Sequence, residues 1–284
     1  MPDIDELLAV LELDRTGDTT WRGSSMQVGA GSVVFGGQLL AQTVVAGATV
    51  DPTKEVKSVH TVFARGAAVD APLEFEVDVM QQGRSFASAS VTVRQGDRLC
   101  TRSLVLLHAP DPDLIRHQVD APQVQSPEEA TPSAHADGSW EIRTVDGVDI
   151  GDPDAVGPAE LDVWTRFVGA PADPTLNRAL LAFATDGFLI GTAMRPHAGV
   201  GQSQAHVSVS TSVITHTLTF HDPVDAGGWL LLAHESPVSG AGRSYGRAHV
   251  FDAAGRLVAS FVQENMIRAF AADRAPAPGG RSAH

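Results

Sequence analysis

Asp186 is the only charged residue between Ala179 and Met194, a stretch otherwise made of small, apolar and weakly polar residues. A carboxylate in such surroundings is costly unless it is hydrogen-bonded, paired or protonated. Burial also raises its pKa. A carboxylate with a raised pKa can serve as a general base in a site shielded from water. The alternative is a structural aspartate that caps a kink at Gly187.

Gln263 is the second polar residue that stands out. It lies in an alternating run from Leu257 to Ile267, which places it on the same face as Asn265. An earlier copy of this run has apolar Leu104 or Val105 near the equivalent position. A polar group present in only one copy indicates function, whereas an amide at a sheet edge is the structural alternative.

The two copies belong to a duplication. Gly83-Arg84-Ser85-Phe86 and Gly242-Arg243-Ser244-Tyr245 each open a pair of alternating runs, and the motifs start at 83 and 242, 159 residues apart. Solenoid units are only about 20–50 residues long. The repeat therefore predicts two similar domains.

The second motif, extended to Gly246, also matches the G-x-S-x-G turn of serine hydrolases. That turn requires a helix after the serine, followed by an acid and a histidine. The residues after Ser244 alternate like a strand, and the histidine that follows any candidate acid is His284. Duplication is the better explanation of the motif.

The histidines and hydroxyls do not define a site by themselves. The eleven histidines show no H-x-x-x-H spacing, and one cysteine cannot build a zinc site alone. His60 and His216 each precede a threonine in matching runs, and we interpret both as hydrogen-bonding framework residues. Threonine favours strands, so no hydroxyl stands out in the run that contains Thr211, Ser212, Thr215 and Thr217. We predict no metal and no cofactor.

Composition limits the partners. A net charge of −14 argues against nucleic acid, which requires a basic face, and means that a polyanionic substrate must meet a local basic patch. The acidic N-terminus lacks signal-peptide features and the chain has one cysteine, which predicts a cytoplasmic location. The uncharged stretch 23–50 contains six glycines and three glutamines, so we predict no membrane insertion.

The elements that position these residues follow an α+β pattern that occurs twice. A buried helix over 38–49 precedes several strands, and a second helix over 175–190 begins at an Asp173-Pro174 cap and precedes another set. We predict domains at 1–109 and 137–270. A proline-rich surface linker over 110–136 joins them, and a frayed tail covers 271–284.

Several short motifs in this order resemble the type II acyl-CoA thioesterases, the double-hotdog family of the bacterial thioesterase II proteins. The motifs are Trp21-Arg22-Gly23, Phe35-Gly36-Gly37-Gln38, Ala41-Gln42, Val59-His60-Thr61-Val62-Phe63, Gly83-Arg84-Ser85-Phe86, Phe183-Ala184-Thr185-Asp186, Phe220-His221 and Val262-Gln263-Glu264. The resemblance implies a double hotdog, in which each repeat is an antiparallel sheet wrapped around one long helix. It also implies a homodimer or a larger homo-oligomer.

The resemblance further implies catalytic roles for Asp186, on the second helix, and Gln263, on the last long strand. The family's third catalytic residue is a threonine or serine two residues before an Asp-His pair. That position falls on Val213 here, with Thr215 in place of the aspartate before His216.

The missing hydroxyl must then come from a neighbour. Thr215 shares a strand face with Val213 in a regular strand, and we choose it. Ser212 or Thr211 would require a bulge or a register shift.

The implied reaction is hydrolysis of acyl-CoA to fatty acid and CoA by a water that Asp186 deprotonates. The backbone N–H groups of Gly36 and Gly37 would bind the oxyanion, and Arg65, Arg84 and Arg243 would contact CoA phosphates. The missing hydroxyl leaves open a non-catalytic module that binds acyl-CoA or an acyl carrier. Hotdog dehydratase chemistry would require a helix-borne histidine, which neither long helix carries.

Overall fold

A computed structural model describes residues 3–28, 31–133 and 138–270, so the predicted tail lies outside the described residues. Within these ranges thirteen strands form one antiparallel sheet, against which four α-helices pack. The helices are α1 (Ile4–Leu11), α2 (Gly36–Ala48), α3 (Pro174–Ala184) and α4 (Leu189–Met194). The strands are β1 (Asp14–Arg15), β2 (Thr20–Gly23), β3 (Glu55–Phe63), β4 (Leu73–Gln82), β5 (Phe86–Gln95), β6 (Arg98–His108), β7 (Thr131–Pro132), β8 (Trp140–Thr144), β9 (Glu160–Phe167), β10 (Val209–Phe220), β11 (Leu230–Gly240), β12 (Arg243–Asp252) and β13 (Leu257–Ala269).

The sheet has a central seam where β3 pairs with β10. Outward from β3 the order is β6, β5, β4 and β2, and outward from β10 it is β13, β12, β11 and β9. Corresponding strands of the two halves therefore lie at the same distance from the seam. The two copies found in the sequence are β5–β6 and β12–β13.

Helix α2 packs on the first half of the sheet and also contacts α3. No residue of α2 is charged, and most of its length is buried, as the sequence predicts. It begins at Gly36, two residues before the predicted start. A helix buried on nearly all sides is stabilised mainly by packing rather than by amphipathic placement at the surface.

The second helix differs from the prediction of one continuous helix over 175–190. The cap is confirmed, because Asp173 Oδ1 accepts a hydrogen bond from the Leu176 N–H and Pro174 opens α3. The helix then ends at Ala184, and α4 begins at Leu189. Thr185 Oγ1 donates back to the Ala182 carbonyl at 2.8 Å, and Gly187 lies in the break. Asp186 therefore lies between two helices rather than within one.

The predicted linker has neither helix nor strand over residues 109–130. It is nevertheless attached to the second half of the sheet, because the Trp164 indole N–H donates to the Gln125 carbonyl at 2.8 Å. Ala130 is buried in a small apolar cluster with Leu231 and Phe251, on the side of the sheet facing away from the helices. Among the helices of the described ranges, none is both long and apolar enough to cross a membrane.

Candidate active site

Asp186 lies in the break between α3 and α4, against the N-terminal end of α2. A Cβ atom added to Gly36 would lie 2.6 Å from Asp186 Oδ2, so only glycine allows this approach. The two halves of the chain meet here, because α2 belongs to the first half and Asp186 to the second. The candidate site is therefore built from both copies.

The surroundings of Asp186 raise the pKa of its carboxyl to about 7, since burial disfavours the charged form. The Gly37 backbone N–H acts in the opposite direction and favours the carboxylate. A carboxylate whose pKa is near neutrality is suited to accept a proton at physiological pH.

Gln263 connects Asp186 to the sheet. Its Nε2 donates to Asp186 Oδ1 at 3.1 Å and to His216 Nδ1 at 2.9 Å. His216 stands directly opposite Gln263 across the β10–β13 pair, and both side chains are almost fully buried. The structure thus brings together the two residues that the sequence singled out, and it adds His216.

A chain of hydrogen bonds fixes the orientation of the Gln263 amide. The Thr185 hydroxyl donates to the Ala182 carbonyl, so His216 Nε2, 3.1 Å from Thr185 Oγ1, must be the donor in that contact. His216 Nδ1 then carries no proton and accepts from the Gln263 amide. Burial lowers the pKa of His216 to about 3, which keeps the ring neutral in this arrangement.

The prediction that Thr215 is the third catalytic residue is wrong, because its side chain does not face the candidate site. A bulge in β10 between Val213 and Thr215 pairs Thr215 with Glu264 and Val213 with Asn265. Glu264 is exposed, so Thr215 lies on the face of the sheet opposite to Gln263. The sequence argument assumed regular alternation, which the extra residue breaks.

The other two hydroxyls do not fill the position. Ser212 is exposed and donates to the Val213 carbonyl. Thr211 faces inward but pairs with Ile267, four residues beyond Gln263, which corresponds to about 13 Å along a strand. Among the described residues, the side-chain hydrogen bond to Asp186 comes from Gln263 and none comes from a hydroxyl.

A basic cleft of about 670 Å³ opens beyond the end of β3, where β10 and β13 continue past it. Three arginines line it, and no carboxylate does: Arg65, Arg98 and Arg268. Met266, three residues from Gln263 along β13, forms part of the wall. Three is an odd number of residues, so Met266 faces the side of the sheet opposite to Gln263. The cleft has the charge that an anionic ligand requires.

Two of the predicted phosphate contacts have different outcomes. Arg84 lies in the turn before Phe86, which pairs with His108, and His108 pairs with Glu55 at the start of β3. His216, at the candidate site, pairs with Thr61 of β3. Thr61 lies six residues, or about 20 Å, further along β3 than Glu55. Arg84 therefore lies at the end of the sheet that is far from the candidate site. Arg243 pairs with Met266, at the cleft end.

Sequence reasoning gave His216 a framework role and missed its link to the site. His60 hydrogen-bonds Thr217 across the seam at 2.6 Å, but on the exposed face. The two histidines precede threonines in the same way and face opposite sides of the sheet, so motif similarity alone could not separate them. Among the described residues, no group of three or more His, Cys, Asp or Glu side chains is placed to hold a metal ion.

The antiparallel sheet packed on buried helices is of the hotdog type, as the similar solved structures show. A hot dog fold protein from Alicyclobacillus acidocaldarius superposes with a TM-score of 0.78 over 94% of this chain and 99% of that chain, at 18% identity. The tesB protein of Mycobacterium avium subspecies paratuberculosis superposes with a TM-score of 0.80 over 93% of this chain and 99% of that chain, at 28% identity.

Family models for the acyl-CoA thioesterase N-terminal and C-terminal domains match residues 25–108 and 118–267. Acyl-CoA thioesterase 2 of Haemophilus influenzae is 29% identical over 94% of this chain and 99% of its own length. The chain belongs to the acyl-CoA thioesterase family, and it is a thioester hydrolase.

Proposed function

We propose that the protein hydrolyses fatty acyl-CoA to a free fatty acid and CoA, with Asp186 as the general base. The observation that carries the proposal is the position of this carboxylate, which is held by Gln263, packed against the start of α2 and has a pKa near 7. The family membership and the basic cleft beyond the end of β3 support the same reaction.

In the proposed reaction a water oxygen attacks the thioester carbonyl carbon while Asp186 takes one of its protons. The tetrahedral intermediate then collapses, the C–S bond breaks, and the thiolate leaves as the acid forms. A thiol with a pKa of about 8.5 is a competent leaving group without a strong acid. No covalent enzyme intermediate is required.

The carbonyl oxygen becomes negative during the attack and needs fixed donors. The first N–H groups of a helix have no partner within the helix. At the start of α2 the Gln38 N–H bonds the Phe35 carbonyl and the Gly37 N–H hydrogen-bonds the Asp186 carboxyl, which leaves the Gly36 N–H at the helix end. We assign oxyanion binding to the Gly36 N–H, because the Gly37 N–H, expected from the sequence to share this role, is already used by Asp186.

The cleft lined by Arg65, Arg98 and Arg268 would bind the phosphates of CoA. The protein has a net charge of −14, so a polyanion must be attracted locally. Arg268 is on β13, five residues and about 17 Å along the strand from Gln263, and it faces the opposite side of the sheet. An extended part of CoA would therefore have to pass the end of β3 to join the phosphate site to the reacting centre.

The proposal includes a finer description of the fold and setting. Each half, with its five corresponding strands and its helix, would be one hotdog, so the chain is a double hotdog. We further propose a homodimer or larger homo-oligomer in the cytoplasm; the cysteine, Cys100, is buried and free.

The test is thiol release from acyl-CoA substrates of increasing chain length, with wild type and Asp186→Asn compared. We expect turnover by the wild type and a loss of at least about 1,000-fold in the variant, as for removal of an essential catalytic group. Undiminished turnover by Asp186→Asn would refute the role of Asp186. Saturable binding without thiol release by the wild type would instead identify a non-catalytic acyl-CoA binding module.

A further inference from the structure

Two amide oxygens on β13 are buried without a hydrogen-bond partner among the described residues. They are Gln263 Oε1 and Asn265 Oδ1, which lie two residues apart on β13 and so face the same side of the sheet. Their side chains are about 1% and 0% exposed. An unsatisfied buried acceptor costs about 1–3 kcal/mol, so each of these oxygens indicates a hydrogen-bond donor that binds to it.

The position of Asn265 relates to the missing hydroxyl. Asn265 pairs directly with Val213 across the β10–β13 ladder, so the two side chains share the inner face. Cβ atoms of such a pair are about 4.5–5.5 Å apart. A hydroxyl on residue 213 would thus lie close to the space that the Asn265 amide reaches.

A contact with Ser244 limits the orientation of the Asn265 amide. Asn265 Nδ2 is 3.4 Å from Ser244 Oγ on β12, on the side away from Val213. Because the oxygen and nitrogen of an amide point in different directions, Oδ1 is turned away from Ser244. A turn towards β10 would bring Oδ1 to the space where the hydroxyl would have been.

We propose that Asn265 is the third catalytic residue and that its amide oxygen replaces the hydroxyl missing at Val213. This inference rests on the proposed hydrolase function. The attacking water has two hydrogens. One is donated to Asp186, which takes it as the new C–O bond forms, and the other is donated to Asn265 Oδ1. A lone pair of the water then points to the thioester carbon.

Asn265→Ala tests the assignment in steady-state thiol release. We expect kcat to fall about 10–100-fold, because the water loses one of its two fixed contacts, while KM for acyl-CoA stays within about threefold. Glu264→Gln, on the exposed face of the same strand, is the matched control and should keep wild-type kcat. If Asn265→Ala melts below the assay temperature, Asn265→Val replaces it and is judged by the same criteria.

The decisive variant is Val213→Thr in the Asn265→Ala background. The kcat of this double variant should be at least about tenfold higher than that of Asn265→Ala, since the threonine returns a polar group to the same space. A purely structural role for Asn265 predicts no such rescue. Failure of rescue, or a kcat for Asn265→Ala within twofold of wild type, would overturn the inference. An active wild type with inactive Asp186→Asn would leave the proposed function standing in either case.

Discussion

Two opposing effects set the pKa of the Asp186 carboxyl group. Burial favours the neutral acid, and the Gly37 N–H at the start of α2 favours the carboxylate. The pKa of about 7 is the balance of these effects. A more exposed aspartate would be ionised but a weak base, and one without donors would remain protonated at neutral pH.

The first prediction concerns His216, which the sequence did not connect to the site. In the wild type, kcat/KM should rise as the pH increases through about 7, because the base must be ionised. In His216→Leu the Gln263 amide loses its acceptor and can turn its oxygen towards Asp186, which favours the protonated acid. The pH at which kcat/KM rises should then be higher by about one unit than in the wild type.

The measurement is kcat/KM from pH 5 to 9 for wild type, His216→Leu and His60→Leu. His60 faces the other side of the sheet and serves as the control, with an unchanged limb expected. An unmoved limb in His216→Leu would show that the histidine does not orient the amide.

A second prediction follows from the cost of burying the carboxylate. The folded-state pKa of Asp186 is raised to about 7 from its usual 3.8, so the folded protein binds the proton more tightly than the unfolded chain. The contribution of Asp186 to the free energy of unfolding therefore falls as the pH rises from about 4 to about 7 and stays low above it. Asp186→Asn should be more stable than wild type at pH 8 by about 1–3 kcal/mol, and the gain should be absent at pH 4.

Denaturant unfolding of both proteins at pH 4 and pH 8 measures this difference. Equal stabilities at pH 8 would show that the carboxylate is solvated in the folded protein. The variant that loses activity is thus expected to be the more stable one, which is typical of a residue kept for function.

At the scale of secondary structure, the junction of α2 with α3 is set by two glycines. A Cβ on Gly37 would lie 2.3 Å from the Phe183 carbonyl oxygen, a backbone atom that cannot turn aside. A Cβ on Gly36 would meet the Asp186 carboxylate instead. One glycine therefore allows the helices to pack, and the other leaves room for the functional group.

The third prediction separates these two roles. Gly37→Ala should lower the free energy of unfolding by about 2–4 kcal/mol, since the helices must move apart. Gly36→Ala should lower kcat/KM at least about 100-fold with a smaller loss of stability, because it displaces the carboxylate that we propose as the general base. Thermal melting and thiol release on both variants check this, and equal losses of stability would contradict it.

Much of the secondary structure follows from local patterns. The duplication, the two buried helices and the hairpins could be predicted because apolar spacing and glycine turns repeat along the chain. The bulge in β10 could not, since Val213 and Ile214 are both β-branched and an extra residue leaves no mark on such a run. That single residue decides which side Thr215 faces. The end of α3 was missed because Thr185 ends it through its own hydroxyl.

For the molecule as a whole, a protein with an overall negative charge binds a polyanion only if its cations are grouped. The fourth prediction is that Arg65→Gln, Arg98→Gln or Arg268→Gln each raises KM for acyl-CoA about tenfold, the expected loss of a charged hydrogen bond. KM for an acyl-pantetheine thioester, which has no phosphates, should not change.

Arg84→Gln is the matched control, because Arg84 lies at the other end of the sheet and should leave both KM values unaltered. Raised KM for both substrates in the cleft variants would indicate a general disturbance of the site rather than phosphate binding.

The seam between β3 and β10 has an evolutionary consequence. Two identical copies joined in this way would carry two equivalent sites, and every substitution would change both. In a single chain each copy can instead change independently of the other. The second copy carries Gln263 on β13, whereas on β6 of the first copy the apolar Val105 packs against Gly47 of α2. One half thus carries the polar residues of the candidate site, and the other contributes the start of α2 against which Asp186 lies.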